Sequence, residues 1–337
     1  MQKTRNILVF SFLFSVLLFT SYVTTITALD ADQTNIITDQ NEQTYSTIQQ
    51  AINTVSNGSI IYLSNGTYTE QLTINKSITL TGQNSKTSIL TSNESMVILI
   101  TADHVRINNL SIRGNTGQQQ GINIYRCQDI LISNNTLSSF SNQSINIGNE
   151  SNHVTIENNS FTKNGNGISI YGTQNQISYN EFINNTNTGI IIYSNASNNT
   201  IDHNIFLNNT AYGLHIQTDA KNTTIYLNNF MDILDAKNKA EQTIWYNDIL
   251  KMGNYWKRYQ GKDVNNDGIG DTPYTVSGDY HINDPYPLIY PIQTHTKNTY
   301  DPTNPGLFYV LTIGVILSII LLIPIAYYWR KKVLFKK

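Results

Sequence analysis

Between residues 130 and 230 the apolar positions fall into one recurring unit, Ile-x-x-Asn-x-Leu/Phe. It reads Ile132–Asn135–Leu137, Ile156–Asn159–Phe161, Ile177–Asn180–Phe182, Ile201–Asn204–Phe206 and Ile225–Asn228–Phe230, with successive Ile residues 24, 21, 24 and 24 positions apart. A second unit lies between these: Gly121-Ile-Asn-Ile, Gly167-Ile-Ser-Ile-Tyr, Gly189-Ile-Ile-Ile-Tyr and Gly213-Leu-His-Ile, with Ser144-Ile-Asn-Ile holding the same register without its glycine. Self-similarity at a fixed period marks a stacked repeat. Two short alternating segments per turn cannot bury an apolar face alone. Turns stacked ~4.8 Å apart can, with Ile and Phe forming ladders inside the coil. Asn tolerates left-handed backbone and hydrogen-bonds locally, so Asn at one turn position can satisfy turn amides rung after rung. Short β-branched runs punctuated by Gly and Asn disfavour a helical repeat. The pattern predicts an all-β chain, a right-handed parallel β-helix of about 24 residues per turn over residues 45–250.

The start of the coil carries its own signal. Ser46-Thr-Ile-Gln49 reads as a capping box, followed by Ile48, Ala51, Ile52 and Val55 at helical spacing and by Asn57-Gly58 as a stop. Such an N-terminal capping helix would cover the open first rung, whose edge would otherwise pair with other chains. Less regular rungs follow at Ile60–Leu63, Leu72–Ile74, Ile78–Leu80, Met96–Ile100 and Val105–Ile112.

Both ends leave the repeat. Residues 1–28 read as a secretory signal, with Lys3 and Arg5 before the apolar run Ile7–Phe19 and Ala28 at the cleavage position. Residues 29–44 read as a linker. Residues 306–329 carry no formal charge over 24 positions, enough for a transmembrane helix, with Tyr309, Tyr327, Tyr328 and Trp329 at its margins. A linker at 293–305 precedes it. The tail at 330–337 holds Arg330, Lys331, Lys332, Lys336 and Lys337, which the positive-inside rule assigns to the cytoplasm. The expectation is a single-pass cell-membrane protein with its N-terminal domain outside.

Composition narrows the chemistry. The 21 basic and 23 acidic residues give a net charge of −2, and only 13% of residues are charged. No basic face of the kind nucleic acid requires is evident, so no nucleic-acid partner is expected. One cysteine, Cys127, excludes an intramolecular disulfide framework and Cys-rich metal sites.

Two stretches carry a family resemblance. Tyr45-Ser-Thr-Ile-Gln-Gln-Ala-Ile52, Gly66-Thr-Tyr-Thr-Glu70 and Lys76-Ser-Ile-Thr-Leu80 resemble the opening of secreted pectate-lyase-like β-helices. Gly253-Asn-Tyr-Trp256, Asp263-Val-Asn-Asn-Asp-Gly-Ile-Gly-Asp271-Thr-Pro-Tyr274 and Asp284-Pro-Tyr-Pro-Leu288 are similar to the C-terminal end of NosD-like β-helix proteins, which assigns residues 251–292 to a C-terminal cap. With the repeats between them the resemblance covers about residues 45–292. It implies the β-helix fold. For function it implies either an accessory role in copper maturation of nitrous oxide reductase or a carbohydrate-binding or sugar-hydrolase-like surface protein. The C-terminal anchor departs from the soluble periplasmic accessory.

Candidate site residues fall in two groups. Asp263, Asn265, Asp267, the Ile269 carbonyl and Asp271 occupy positions 1, 3, 5, 7 and 9 of a calcium-type loop with Gly268 at position 6. Tyr274 stands where the bidentate Glu would be, and an Asx-rich turn satisfied by its own backbone is the alternative. Tyr125, Tyr171 and Tyr193 each follow the apolar pair of the Gly unit by one position, so alternation points them outward as a column interrupted by Gly148 and ended by Gln217. Exposed stacked aromatics suit sugar rings, and ordinary cross-rung packing is the alternative.

No catalytic constellation stands out. Glu157 and Asp202 share a repeat position but sit two rungs apart, ~10 Å, with Ser178 between them. His153, His203 and His215 fall at three different repeat positions, which does not favour copper. Cys127 reads as a buried thiol, and Asn57, Asn65, Asn93, Asn142, Asn195 and Asn222 head sequons of an expected glycoprotein. The reading is an outward-facing β-helix surface protein, a carbohydrate-binding or structural module with a polysaccharide or glycan partner. A polysaccharide lyase or glycoside hydrolase and a copper-maturation accessory are the alternatives.

Overall fold

The computed structural model describes residues 35–115 and 120–293. The signal at 1–28, the span at 306–329 and the tail at 330–337 lie outside the described residues. Among those described, no helix is long and apolar enough to cross a membrane.

The chain forms a parallel β-solenoid with three sheets along its length. The first sheet takes Ile60–Leu63, Thr79–Gly82, Arg106–Asn108, Leu131–Ser133, Thr155–Glu157, Gln176–Ser178, Thr200–Asp202, Lys221–Tyr226 and Gln242–Ile244 in parallel succession. The second runs from Gly66–Thr69 to Tyr255–Trp256, and the third takes eight strands from Leu72–Ile74 to Ala236–Asn238, one per turn. Three strands per turn, where the repeat suggested two, is a correction. Each Ile-x-x-Asn-x-Phe unit is itself strand, bend and strand. The residue before each Asn (Asn134, Asn158, Tyr179, His203 and Leu227) has φ between 52° and 57°. That single left-handed residue sends Ile to the first sheet and Phe to the second without breaking the apolar spacing.

The interior is built of in-register ladders. Ile132, Ile156, Ile177, Ile201 and Ile225 pair across successive strands of the first sheet, all fully buried. The rings of Phe161, Phe182, Phe206, Phe230, Trp256 and Tyr274 stack in that order with centroids 4.4–5.1 Å apart. Gly167, Gly189 and Gly213 face this column. A Cβ on Gly189 would lie 2.5 Å from the Gly213 carbonyl oxygen and 2.8 Å from the Phe206 ring, so only glycine lets the third sheet approach the rings.

The asparagines form a continuous polar ladder. The backbone N–H and side-chain amide of each of Asn135, Asn159, Asn180, Asn204 and Asn228 donate to Oδ1 of the next, ending on Asn254, with backbone N–H distances of 2.9–3.1 Å. A second ladder joins Asn164, Asn185, Asn209 and Asp232, and a third joins Asn175 to Asn199. Backbone amides at the bends are thereby satisfied without water.

The N-terminal cap reaches further than the sequence boundary at 45. Ile37–Asp39 pairs antiparallel with Ile60–Leu63 and with Thr44–Tyr45, so much of the expected linker at 29–44 is part of the fold. The helix runs Ile48–Thr54 with Thr47 as its N-cap, one residue later than expected. Gln49 faces the coil instead. Its side-chain amide donates to the Thr73 carbonyl and accepts the Thr73 N–H, standing in for a further strand on the open edge of the third sheet. Glu70 accepts the Ile48 and Gln49 N–H groups at the helix start. At the other end the coil continues to Trp256, past residue 250. The antiparallel pair Tyr274–Thr275 and Asn283–Asp284 then closes it.

Candidate functional site

The outer face of the third sheet carries the strongest site. Asn123, Asn146, Ser169, Ile191, His215 and Lys237 lie on it in register, one per rung. Asn146 Nδ2 donates to Asn123 Oδ1 at 2.9 Å. Beyond that bond the column is unsatisfied: Asn146 Oδ1, Ser169 Oγ and His215 Nε2 are shielded from solvent and have no hydrogen-bond partner. Ser169 is 1% exposed. A buried polar atom left without a partner costs about 1–3 kcal/mol, and three of the seven such side-chain atoms among the described residues stand on this one column. His215 packs against Tyr212, with centroids 5.5 Å apart. Burial, then Lys239 and Lys237, hold its imidazole below the ordinary histidine range.

The sequence-identified tyrosines flank this floor. Tyr125, Tyr171 and Tyr193 follow Asn123, Ser169 and Ile191 by two residues and so share their face. Tyr171 and Tyr193 stack at 4.0 Å with 11° between the rings. Burial, with the neighbouring Tyr193 hydroxyl, holds the Tyr171 phenol above its ordinary range. Tyr125 is not part of the stack. It is two rungs from Tyr171, ~9.6 Å, and is 49% exposed. The Arg126 guanidinium sits 5.2 Å over its ring and pairs with Glu150 at 3.2 Å. Gly148 leaves the rung between them empty because a Cβ there would lie 2.9 Å from the Ile124 carbonyl oxygen. Two of the three residues therefore form one aromatic platform.

Asn146 and Ser169 were missed as site residues and His215 was weighed only as a copper ligand, although their register was readable. Each is the outward residue of a Gly-unit strand whose neighbours were assigned to the core.

The loop at 263–271 is closed by its own side chains. Asp263 accepts the Asp267 and Gly268 N–H groups at 3.2 and 2.9 Å, Asp267 accepts the Ile269 N–H, and Asp271 accepts the Val264 N–H. Asn265 Nδ2 donates to Asp267 Oδ2. Gly268 has φ +86°. Among the described residues no three His, Cys, Asp or Glu side chains converge as metal ligands. Asp263, Asp267 and Asp271 shape the turn without meeting at one point.

Other acids and nucleophiles do not assemble into a second site, although Asp202 Oδ1 and Asp235 Oδ1 are also buried without a partner. Glu157, Ser178 and Asp202 are adjacent in register, which confirms two rungs between the carboxylates. Asp202 Oδ2 lies 2.7 Å from His203 Nδ1. Asp232 borders a surface cavity of about 770 Å³ with Lys257 and Arg258, but its Oδ1 terminates the second Asn ladder. Burial raises its carboxyl to about 6, as it does that of Asp235. Cys127 is buried and its thiol is pushed up to about 11 by burial and then by Asp103. Among the described residues the histidines that copper would need do not gather: His104 faces Asp129 at 3.5 Å, His203 faces Asp202, and His215 lies on another sheet.

Comparison with known proteins agrees with this architecture. No curated protein matches the chain in sequence. Among solved structures, Geobacillus virus E2 ORF18 is 18% identical, with a TM-score of 0.46, over 59% of this chain and 55% of its own. The tailspike protein gp49 from Acinetobacter baumannii bacteriophage Fri1, a capsular polysaccharide depolymerase, is 13% identical with a TM-score of 0.51, over 59% of this chain and 46% of its own. Pectin methylesterase PemA from Erwinia chrysanthemi is 12% identical with a TM-score of 0.43, over 60% of this chain and 78% of its own. The chain spans about half the length of the first two, and at these identities the likeness is one of fold. The family model described as periplasmic copper-binding protein (NosD) matches residues 23–261. With its stacked Asn and Phe ladders and closing C-terminal cap, the chain belongs to the NosD family.

Proposed function

We propose that the chain is an outward-facing, membrane-tethered β-helix that holds a glycan on the outer face of its third sheet. The observation that carries this reading is the Tyr171–Tyr193 stack beside the unpartnered Asn146, Ser169 and His215 atoms. Flat aromatic faces with hydroxyl rims bind sugar rings, and sugar hydroxyls donate and accept where these atoms lack partners. The three atoms are shielded as the protein stands, so a ligand reaches them only when neighbouring side chains turn aside. The polysaccharide-acting tailspike among the similar folds is consistent with a glycan partner. The apolar segment at 306–329 supplies the tether. In the same reading, calcium bound by the 263–271 loop stiffens the cap.

The test is glycan retention by the full chain and by a Tyr171→Ala/Tyr193→Ala variant on a polysaccharide array. Retention is expected to disappear in the variant while its melting temperature barely moves. Equal retention would remove this face from the account.

A further inference from the structure

The geometry points to an oxyanion subsite at the C-terminal end of this column, formed by His215, Lys237 and Lys239, that takes the carboxylate or sulfate of an acidic sugar. The inference rests on the glycan reading above and adds the charge class of the ligand. Along the column Asn123, Asn146, Ser169 and Ile191 carry no charge. The next two rungs hold His215 and, directly beside it in register, Lys237. Lys239 follows two residues later on the same side of the chain.

No ion pair among the described residues involves Lys237 or Lys239. By contrast Arg126, at the opposite end of the face, is already paired with Glu150. Asp279 is the acid that acts on His215, and it is outweighed there by the two lysines. His215 Nε2 is shielded and unpartnered. Both lysines are partly buried, their aliphatic stems lying along the coil surface. An anion here would meet the ammonium groups of both lysines, which can donate charge-assisted hydrogen bonds, beside the unpartnered imidazole nitrogen. A neutral sugar at the same rung would gain none of the charge term.

The experiment measures binding of the full chain to polygalacturonate, to carboxyl-reduced polygalacturonate and to dextran sulfate. Wild type is compared with Lys237→Gln/Lys239→Gln and Lys237→Arg/Lys239→Arg, with thermal melting as the check on folding. Wild type is expected to prefer at least one acidic polymer over the reduced one. The Gln variant should bind that polymer at least about tenfold more weakly, and the Arg variant should retain it. Preference for polygalacturonate or for dextran sulfate identifies the anion as carboxylate or sulfate. Equal binding of acidic and reduced polymers, or unchanged binding by a folded Gln variant, overturns the subsite while the glycan reading stands. Binding of none of the three polymers overturns the subsite. The array above then decides the broader reading separately.

Discussion

Asn254 donates both its backbone N–H and its side-chain amide to Oδ2 of Asp284, at 2.7 and 3.5 Å. Every asparagine along the ladder both receives from the rung before it and gives to the rung after it. The last member has only to receive. A carboxylate does this without N–H groups of its own to place, and Asp232 ends the second ladder in the same way. Asp284 also accepts the Trp256 indole N–H and the Tyr286 backbone N–H, tying the ring stack and the cap to the ladder end.

Asp284→Ala should therefore be far costlier than an average substitution. It leaves the N–H groups of Asn254, Tyr286 and the Trp256 indole without an acceptor in a buried site, a loss of about 3–5 kcal/mol. Asp284→Asn keeps the shape but aims amide hydrogens at incoming donors, and should fall between wild type and Ala. Denaturant unfolding of the three proteins checks the order.

The same burial dictates a pH dependence. Asp232, Asp235 and Asp284 have carboxyls raised by burial to about 6, against an ordinary 3.8. Between those values the folded chain holds more protons than the unfolded one. Stability from these groups is thus complete below about pH 3.8 and lost as pH rises through about 6. The melting temperature should fall across that window and level off near neutrality, as calorimetry over a pH series would read. A melting temperature that climbs from pH 4.5 to 7 would contradict the assignment.

Lys163 occupies a left-handed bend position, φ 57°, in the column that also holds Asn184 and Asn208. It is exposed and belongs to no ion pair among the described residues. Lys163→Asn should stabilise by about 0.5–1 kcal/mol, because Asn adopts this conformation at lower cost. The expected rise in melting temperature is about 1–4 °C.

Calcium gives the fourth outcome. Asp263, Asp267 and Asp271 lie within nine residues and now accept backbone N–H groups. A cation that draws them together stabilises the folded state by mass action. Millimolar calcium should raise the melting temperature of the full chain and chelator should lower it, with Asp267→Ala indifferent to both. Identical melting in calcium and in chelator leaves the loop as a turn.

Much of the coil was legible because its ladders repeat in one dimension. Ile156 or Phe182 needs only its counterpart one rung away, and that counterpart sits at a fixed sequence distance. The third strand per turn was hidden because one left-handed residue, such as Asn158, turns the corner without changing the apolar spacing. The cap register slipped by one because Gln49 serves the open edge at Thr73, a tertiary role that mimics a local capping signal. Tyr171 and Tyr193 were found by alternation. Ser169 and His215 were not, since what distinguishes them is the absence of a partner, and a sequence does not display absent bonds. Asp232 and Asp284 were not recognisable as ladder ends for a related reason: each substitutes for the expected Asn only where the ladder stops.

The one-way direction of the asparagine ladder has a consequence for how such chains change over time. Interior turns carrying Asn159, Asn180 or Asn204 meet identical neighbours above and below, so a whole turn can be duplicated or deleted and the series still closes. The segments that hold Gln49 and Asp284 have no such freedom, because each solves a problem that arises at one terminus alone. Length is thus the variable most open to drift in this architecture, and a lengthened descendant would extend the outer face of its third sheet in steps of one rung.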